Sequence, residues 1–342
     1  MEMPSEQNAY IKHKGRIVEK GDFEHVFSLT LDPTDQRQGL LRCITSREGD
    51  LTVKGYRDRS VLHKVRSIDG LEKYEIAEPL EIKGSDDLMK KLSDEDHDFI
   101  GFEDPDLVYD PEAKILHLYF TIPLIKKRED TENIVLLGHA QGTSLDDLEM
   151  TEPVVNKEEV GATYAKELSL APVNSNGVRL NLVESKDKID GVSYSTVRVA
   201  KAKGFGPPWE LGETVFHPKK DGYPWCAGHA SPGPLLPREF IDVGEGKLLG
   251  FMNGREANTI VEGKTKYGMF SVGLFIYDFE NGKIDWVSKE PLIIDSEAKT
   301  ITFASQFVLT GNGEGVLYAH VDDSFVRAYT IKAEEIKKLV DL

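Results

Sequence analysis

A strand, a tight turn and a second strand recur along this chain, and that recurrence constrains its fold more than any single motif does. The segments GLLRCITSREGD, LVYDPEAKILHLYFT, LAPVNSNGVRLNLVES, PLLPREFIDVGEGKLLGFMNG and FVLTGNGEGVLYAHV each set Asp, Gly, Asn or Pro between apolar or alternating runs. Such patterns read as hairpins, because the turn residues adopt chain-reversing backbone angles and the flanking residues suit a pleated, half-buried surface. Helical periodicity is confined to SDDLMKKLSDED, from Ser85 to Asp96 with Ser85 as its cap, and to the C-terminal AEEIKKLVDL.

Each hairpin is followed by another β-rich stretch closing on segments such as WELGETVF or WVSKEPLI, which gives a repeat of roughly 50 to 70 residues. The expected fold is all-β, a five-bladed β-propeller forming one domain over 1–342. Its blades are expected at 22–85, 99–156, 163–217, 227–295 and 300–332, with a short helix over 332–342. A β-sandwich with an appended domain is the competing architecture, but it leaves the similar hairpins unexplained.

Charge then narrows the partners. The 342 residues carry 42 Lys and Arg against 59 Asp and Glu, a formal charge of −17, which repels nucleic-acid backbones and anionic membranes. No apolar run approaches the roughly 20 residues that cross a bilayer, and the N-terminal segment MEMPSEQNAYIKHKGRIVEKGD has no hydrophobic signal region. The chain also lacks any Asn-x-Ser/Thr acceptor, so a cytoplasmic location is expected. Cys43 and Cys226, the only cysteines, read as reduced, buried thiols.

Several familiar motifs fail on physical grounds. Gly263-Lys264-Thr265 looks like the end of a phosphate-binding loop, but Asn258 stands where its first glycine is required. The glycines of GNGEGVLY lead into a strand rather than a helix, so they form a turn and not a dinucleotide fingerprint. In His229-Ala230-Ser231-Pro232-Gly233 the residue after the serine has no N–H to offer an oxyanion, which disqualifies Ser231 as a hydrolase nucleophile. The histidines show no metal-ligand spacing, and no metal or cofactor is expected.

What remains is acidic side chains at strand ends. Glu103-Asp104-Pro105-Asp106 precedes an apolar strand, Lys166-Glu167 introduces the apolar stretch LSLAP, and Asp322-Asp323 follows YAHV. Carboxylates at equivalent ends of different blades would converge on the central channel, where acid and base must reach the same bond. Surface turns and exposed ion pairs are the plainer explanations of each segment alone. Trp209, Tyr223 and Trp225 are sugar-stacking candidates or packing residues between blades. Asn253, Arg255 and Glu256, at the end of the fourth-blade strand, are further candidates for the pocket.

In the segment GFEDPDLVYDPEAKILHLYFT, and in the order of the later segments AGHASPGPLLPREFIDVGEGKLLGFMNG, YGMFSVGLFIYDFENGKIDWVSKEPLI and FASQFVLTGNGEGVLYAHVDDSFVRAYTI, the chain resembles the five-bladed propeller glycosidases. The resemblance is strongest to glycoside hydrolase family 130, the β-mannoside phosphorylases and hydrolases, and covers roughly residues 22 to 332. It implies that Asp104 is the proton donor, that Asp322 binds the glycone sugar, and that Arg42, Arg59, Lys166 and Glu167 surround the sugar and the attacking species. It also implies an oligosaccharide or glycoside as the partner and allows association into homo-oligomers.

The chain departs from that family at Asp106, where the family has arginine, at Leu182-Val183-Glu184 and at Ala227. Losing cations weakens the hold on a phosphate dianion, so water is the expected acceptor. Glu167 is then the expected base, with Glu184 and Glu256 behind it, and His229 lies in the fourth-blade loop nearby. The expected function is an inverting hydrolase of β-mannosides or a similar oligosaccharide. The alternatives are a phosphorylase or mannosyl-transferring enzyme using phosphate, a non-catalytic carbohydrate-binding propeller, and an arabinosidase or xylosidase like those of family 43. In the last, Glu167 becomes the acid and Asp104 or Asp106 its helper.

Overall fold

The computed structural model describes residues 9–155, 164–311 and 313–340. The expected blade limits at 156 and 163 and the final two residues of the expected C-terminal helix lie outside these. The all-β expectation holds: strands are arranged as successive antiparallel meanders, and the helices are short.

The first meander comprises His25–Asp32, Asp35–Glu48, Arg57–Asp69 and Lys73–Pro79, paired in chain order. In the second, His97–Phe99 and Glu103–Asp110 both pair with Ile115–Lys126, which is followed by Ile134–Gly142 and Glu149–Met150. The third runs through Lys166–Ser169, Arg179–Ile189, Val192–Ala202 and Glu210–Phe216. His229–Leu235, Lys247–Arg255, Phe270–Asp278 and Lys283–Val287 form the fourth, joined to the third by one parallel pair, Ser195 with His229.

The last meander is built differently from the expectation. Thr302–Gly311, Glu314–Val321 and Phe325–Lys332 supply three strands, and the fourth comes from the other end of the chain, Tyr10–Lys12. The N-terminal strand pairs Tyr10 with Ile331 and Lys12 with Tyr329, which covers an edge that would otherwise present unpaired backbone groups.

Core packing follows the same circuit. Leu40, Leu107 and Phe120 bury the first meander against the second, and Tyr119, Val183 and Trp209 bury the second against the third. Val197, Met252 and Phe275 join the third to the fourth, and Phe251, Leu274 and Tyr329 join the fourth to the last. Leu29, Leu41, Tyr318 and Val326 then pack the last against the first, so the circuit closes. Middle strands are covered on both faces, which explains why Ile115–Lys126 is an almost continuous apolar run while the outer strand Glu210–Phe216 is largely exposed.

The helix expected from Ser85 to Asp96 spans Ser85–Leu92 and buries Leu88 and Leu92, one turn apart. Its cap is Gly84 in the left-handed region, and Ser85 is the first helical residue. Among the described residues, no helix is long and apolar enough to cross a membrane.

Candidate active site

Every meander carries a register shift in its innermost strand. The shifts fall between Phe27 and Leu29, Glu103 and Asp106, Lys166 and Leu168, Pro232 and Leu235, and Ala304 and Gln306. A bulge leaves one residue unpaired and re-aims its side chain. Three of these positions are held at positive φ without being glycine: Ser28 at 54°, Asp104 at 49° and Glu167 at 44°. That conformation costs free energy and persists only where the surroundings enforce it. Part of the enforcement is visible at Gly101, where a Cβ would collide with the carbonyl of Ser60; the close approach, with Ser60 N–H donating to Ile100 at 3.0 Å, presses this segment against the first meander.

The result is a floor between two cavities. Asp104, Glu167, Phe303 and His320 line both a larger cavity of about 640 Å³ and a smaller one of about 400 Å³. The larger cavity draws its walls from all the meanders, including Tyr56 from the first, Lys166 from the third, His229 and Arg255 from the fourth and Asp323 from the last.

On the floor, Arg42 forks between two carboxylates, donating to Asp104 at 3.0 Å and to Glu103 at 2.5 Å, with its guanidinium carbon 4.8 Å from the Phe27 ring centre. Burial opposes the charge on Arg42, but Glu103 and Asp104 outweigh it and keep the guanidinium charged. Burial raises the Glu103 carboxyl to about 7 against the pull of Arg42. At Asp104 the balance reverses: Arg42, Lys166 and His320 outweigh burial and hold it ionised.

Glu167 hydrogen-bonds to Asp104, and burial together with that neighbouring carboxylate raises its pKa well above the usual range despite Lys166. The two carboxyls therefore form a proton-sharing pair in which Glu167 carries the proton. Lys166 itself stays charged, because Glu184, Tyr164, Glu167 and Asp104 outweigh its burial.

A second layer fixes these groups. Glu184 is fully buried, 3.2 Å from His229 Nε2 and within reach of the Tyr164 hydroxyl, which donates to it at 3.3 Å. Burial opposes its ionisation, but His229 and Lys166 prevail and lower its pKa to about 2. Asp323 accepts from the Tyr56 hydroxyl at 2.7 Å and lies 2.8 Å from His320 Nδ1. Those neighbours and Arg42 overcome burial and hold Asp323 ionised. Asp58 is gripped by Arg47 through two bonds of 2.7 and 2.6 Å.

Arg255 differs from the other buried charges. Its guanidinium lies over Tyr267 and Phe270, 4.4 and 5.2 Å from their ring centres, and its Nε has no hydrogen-bond partner among the described residues. Burial lowers its pKa.

Of the residues expected at the site, the structure gathers Arg42, Glu103, Asp104, Lys166, Glu167, His229 and Arg255 around the larger cavity. Others go elsewhere. Arg59 is half exposed and pairs with Asp98 at 2.6 Å on the surface. Asp106 lines only the smaller cavity. Glu184 sits behind the wall. Asn253 is fully buried and ties the fourth meander to the last, donating to Ala304 O at 3.0 Å and accepting from Ala304 N–H at 2.7 Å. Glu256 is exposed and accepts from Met269 N–H. The Asp322 carboxylate is filled by the backbone N–H groups of Lys299, Thr300 and Ile301, and its neighbour Asp323 faces the cavity instead.

The aromatic candidates are packing residues. Trp225 is buried against Gly254 and Gly273, where any Cβ would strike its ring, and Trp209 packs 5.4 Å from Tyr119. Neither lines the larger cavity, and Tyr223 only packs at the edge of the same core as Trp225. The rings that do line it are Phe27, Tyr56, Tyr164, Tyr194, Tyr267, Phe270 and Phe303.

The shortage of cations expected at the site is not found. Arg42, Lys54, Arg57, Lys126, Lys166, Lys186 and Arg255 line the larger cavity beside the acids Asp58, Glu103, Asp104, Glu167 and Asp323. The chain's negative charge is concentrated outside this wall.

No protein-family model matches the chain, and no curated protein sequence matches it. Solved structures do. A glycosyl hydrolase from Bacteroides ovatus superposes with a TM-score of 0.63 at 16% identity, over 91% of this chain and 86% of that one. The β-1,2-mannobiose phosphorylase from Listeria innocua, solved with β-1,2-mannobiose, gives 0.61 at 14% identity over 99% and 95%. A thermostable family-43 glycoside hydrolase gives 0.50 at 13% identity over 89% and 88%. The fold is the one these glycoside-processing propellers share.

Proposed function

We propose that the meanders are the five blades of a single-domain propeller and that the chain is a carbohydrate-active enzyme cleaving a glycosidic bond in the larger cavity. The observation that carries this reading is the Glu167–Asp104 pair on the cavity floor, two adjacent carboxyls of which burial and the neighbouring carboxylate raise the first while Arg42, Lys166 and His320 lower the second. Glu167 is the general acid, giving its proton to the departing oxygen, and Asp104 holds that proton in place. This reverses the roles expected from the sequence and agrees with the family-43 alternative. The rings of Tyr56, Tyr164, Tyr267 and Phe270 offer apolar faces to the sugar. A β-mannoside is the substrate class we favour, from the likeness to the mannobiose phosphorylase.

A hydrogen-bonded pair is far closer than the carboxyl separations of about 5–5.5 Å or 6.5–9.5 Å that retaining or inverting hydrolysis uses. Asp104 is therefore not the group that activates water on the opposite face of the sugar. Asp58 and Asp323 are committed to Arg47, Tyr56 and His320. Arg255, by contrast, is a half-buried cation whose Nε has no hydrogen-bond partner among the described residues, and Lys166 and His229 share its wall. Those features support an acceptor that is itself an oxyanion, and phosphate is the simplest. Hydrolysis is the second reading, favoured by Glu103, whose pKa near 7 suits a general base.

Mannosides, arabinosides and xylosides incubated with and without phosphate decide between them. A sugar 1-phosphate formed only with phosphate supports the first reading, free sugar independent of phosphate supports the second, and binding without turnover of any glycoside would sink both. Arg255→Ala should raise the phosphate KM by about tenfold or more if the first reading holds, since a charge-assisted bond contributes about 1.5–3 kcal/mol.

A further inference from the structure

No acidic side chain pairs with the Arg255 guanidinium among the described residues; two rings hold it instead. Phe270, its ring centre 5.2 Å away, is placed by the sheet, since it stands opposite Arg255 in the ladder. Tyr267, closer at 4.4 Å, lies outside the ladder, in the connection between the strands Lys247–Arg255 and Phe270–Asp278. That connection carries a small hairpin of its own, Thr259–Val261 paired with Lys264–Lys266. What places Tyr267 is the first meander.

Val53, in the turn between Asp35–Glu48 and Arg57–Asp69, pairs antiparallel with Lys266. Lys54 N–H donates to Thr265 O at 3.1 Å, and Tyr267 N–H donates to Thr52 O at 3.0 Å. The side chains repeat the link. The Tyr56 and Tyr267 rings meet edge to face with their centres 6.5 Å apart, and the Gly55 N–H bears on the Tyr267 hydroxyl. The first and fourth meanders are separated in the circuit by the last, so these contacts form an arch that spans it. The arch also rests on that meander: the Tyr56 hydroxyl donates to Asp323 at 2.7 Å and Arg47 donates to Asp323 O at 2.8 Å. Lys54, Gly55, Tyr56 and Tyr267 bring it to the wall of the larger cavity.

We propose that this arch positions the acceptor-binding arginine, with Tyr267, set by the first meander, holding Arg255 against Phe270. The inference rests on the reading of Arg255 as the cation that binds the acceptor oxyanion. The N–H groups of a guanidinium lie in its plane, so an arginine held by its faces keeps them available to an anion. A long side chain fixed before the anion arrives also spares binding the cost of ordering it. Tyr267 acts through Arg255 and is therefore a positioning residue.

The test uses inorganic phosphate with the intact chain. Tyr267→Ala should raise the phosphate KM by about tenfold, with the glycoside KM and the kcat at saturating phosphate within about twofold of the unmodified enzyme. Tyr267→Phe, which keeps the ring, should raise it less. Calorimetric phosphate binding without glycoside should weaken in the same order. A second variant probes the arch away from the cavity wall. Val53 and Lys266 form the close, non-hydrogen-bonded type of antiparallel pair, whose spacing suits a disulfide, and neither lines the cavity. Val53→Cys with Lys266→Cys, locked by oxidation, should keep kcat and hold the phosphate KM at or below that of its reduced form.

Unchanged phosphate affinity in Tyr267→Ala overturns the positioning role, and so does a glycoside KM that rises in step, which would make Tyr267 a sugar platform. A lock that abolishes turnover also overturns it, because the arch would then have to open. These outcomes leave the acceptor reading standing. Turnover independent of phosphate, in an unmodified enzyme that binds none, overturns that reading and the arch's role with it.

Discussion

Arg42 and Arg59 stand on adjacent paired strands of the first meander, and in the sequence they look interchangeable. On the cavity floor, Arg42 is 8% exposed and bridges two buried carboxylates; on the outer rim, Arg59 is 46% exposed and holds a single partner, Asp98. The difference lies in the surroundings and not in the residue type. Removing a charge from a buried pair strands its partners in a medium that solvates them poorly, whereas water replaces the partner of an exposed pair.

The floor and the rim can be separated experimentally, and the largest effect belongs to the proton itself. Glu167→Gln should lower kcat by about 10²–10⁴ on substrates whose leaving group must be protonated, and far less on an activated aryl glycoside. Equal losses on both substrates would remove Glu167 from the role of acid. Arg42→Ala should cost about 3–5 kcal/mol of stability by urea unfolding, because Glu103 and Asp104 lose their shared cation.

A smaller effect is expected from the second layer. Glu184 is depressed to about 2, so its contribution to stability is complete above the unfolded carboxyl range and is lost as pH falls from about 4.5 toward 2. Glu184→Gln should therefore flatten the acid limb of stability against pH, a difference of about 2–3 kcal/mol between pH 5 and pH 2. Parallel acid limbs for the two proteins would contradict this. Smallest of all, Arg59→Ala should change unfolding free energy by less than about 0.5 kcal/mol. A larger loss would erase the contrast with Arg42.

The strands were legible in the sequence because hairpin punctuation and apolar alternation are local signals. Closure of the last meander was not, since Tyr10–Lys12 is short and its partner lies more than three hundred residues away. At the site, Asp104 and Glu167 were legible from their places at strand ends, but the direction of their protonation was not. That direction depends on Arg42, brought in from the first meander, and on Lys166, which adjoins Glu167 in the chain and meets Asp104 only in the fold. Asp322 and Asp323 show the same limit at one-residue resolution: both have positive φ, and only the fold decides which one captures backbone N–H groups and which faces the cavity. Net charge says nothing of the pocket, because it counts the whole surface. The cations of Lys54, Lys166, Lys186 and Arg255 are scattered along the chain and meet only in the folded wall.

The repeated bulges carry a consequence for how such a molecule can change over time. Ser28 occupies in the first meander the left-handed, unpaired position that Asp104 and Glu167 occupy in the next two. Each is a socket whose occupant lines a cavity, while the ladder on either side is held by its own backbone bonds. Reagents can thus be exchanged one socket at a time without redesigning the scaffold, and a chain of this kind can drift far in sequence, or between chemistries, while keeping the same shape.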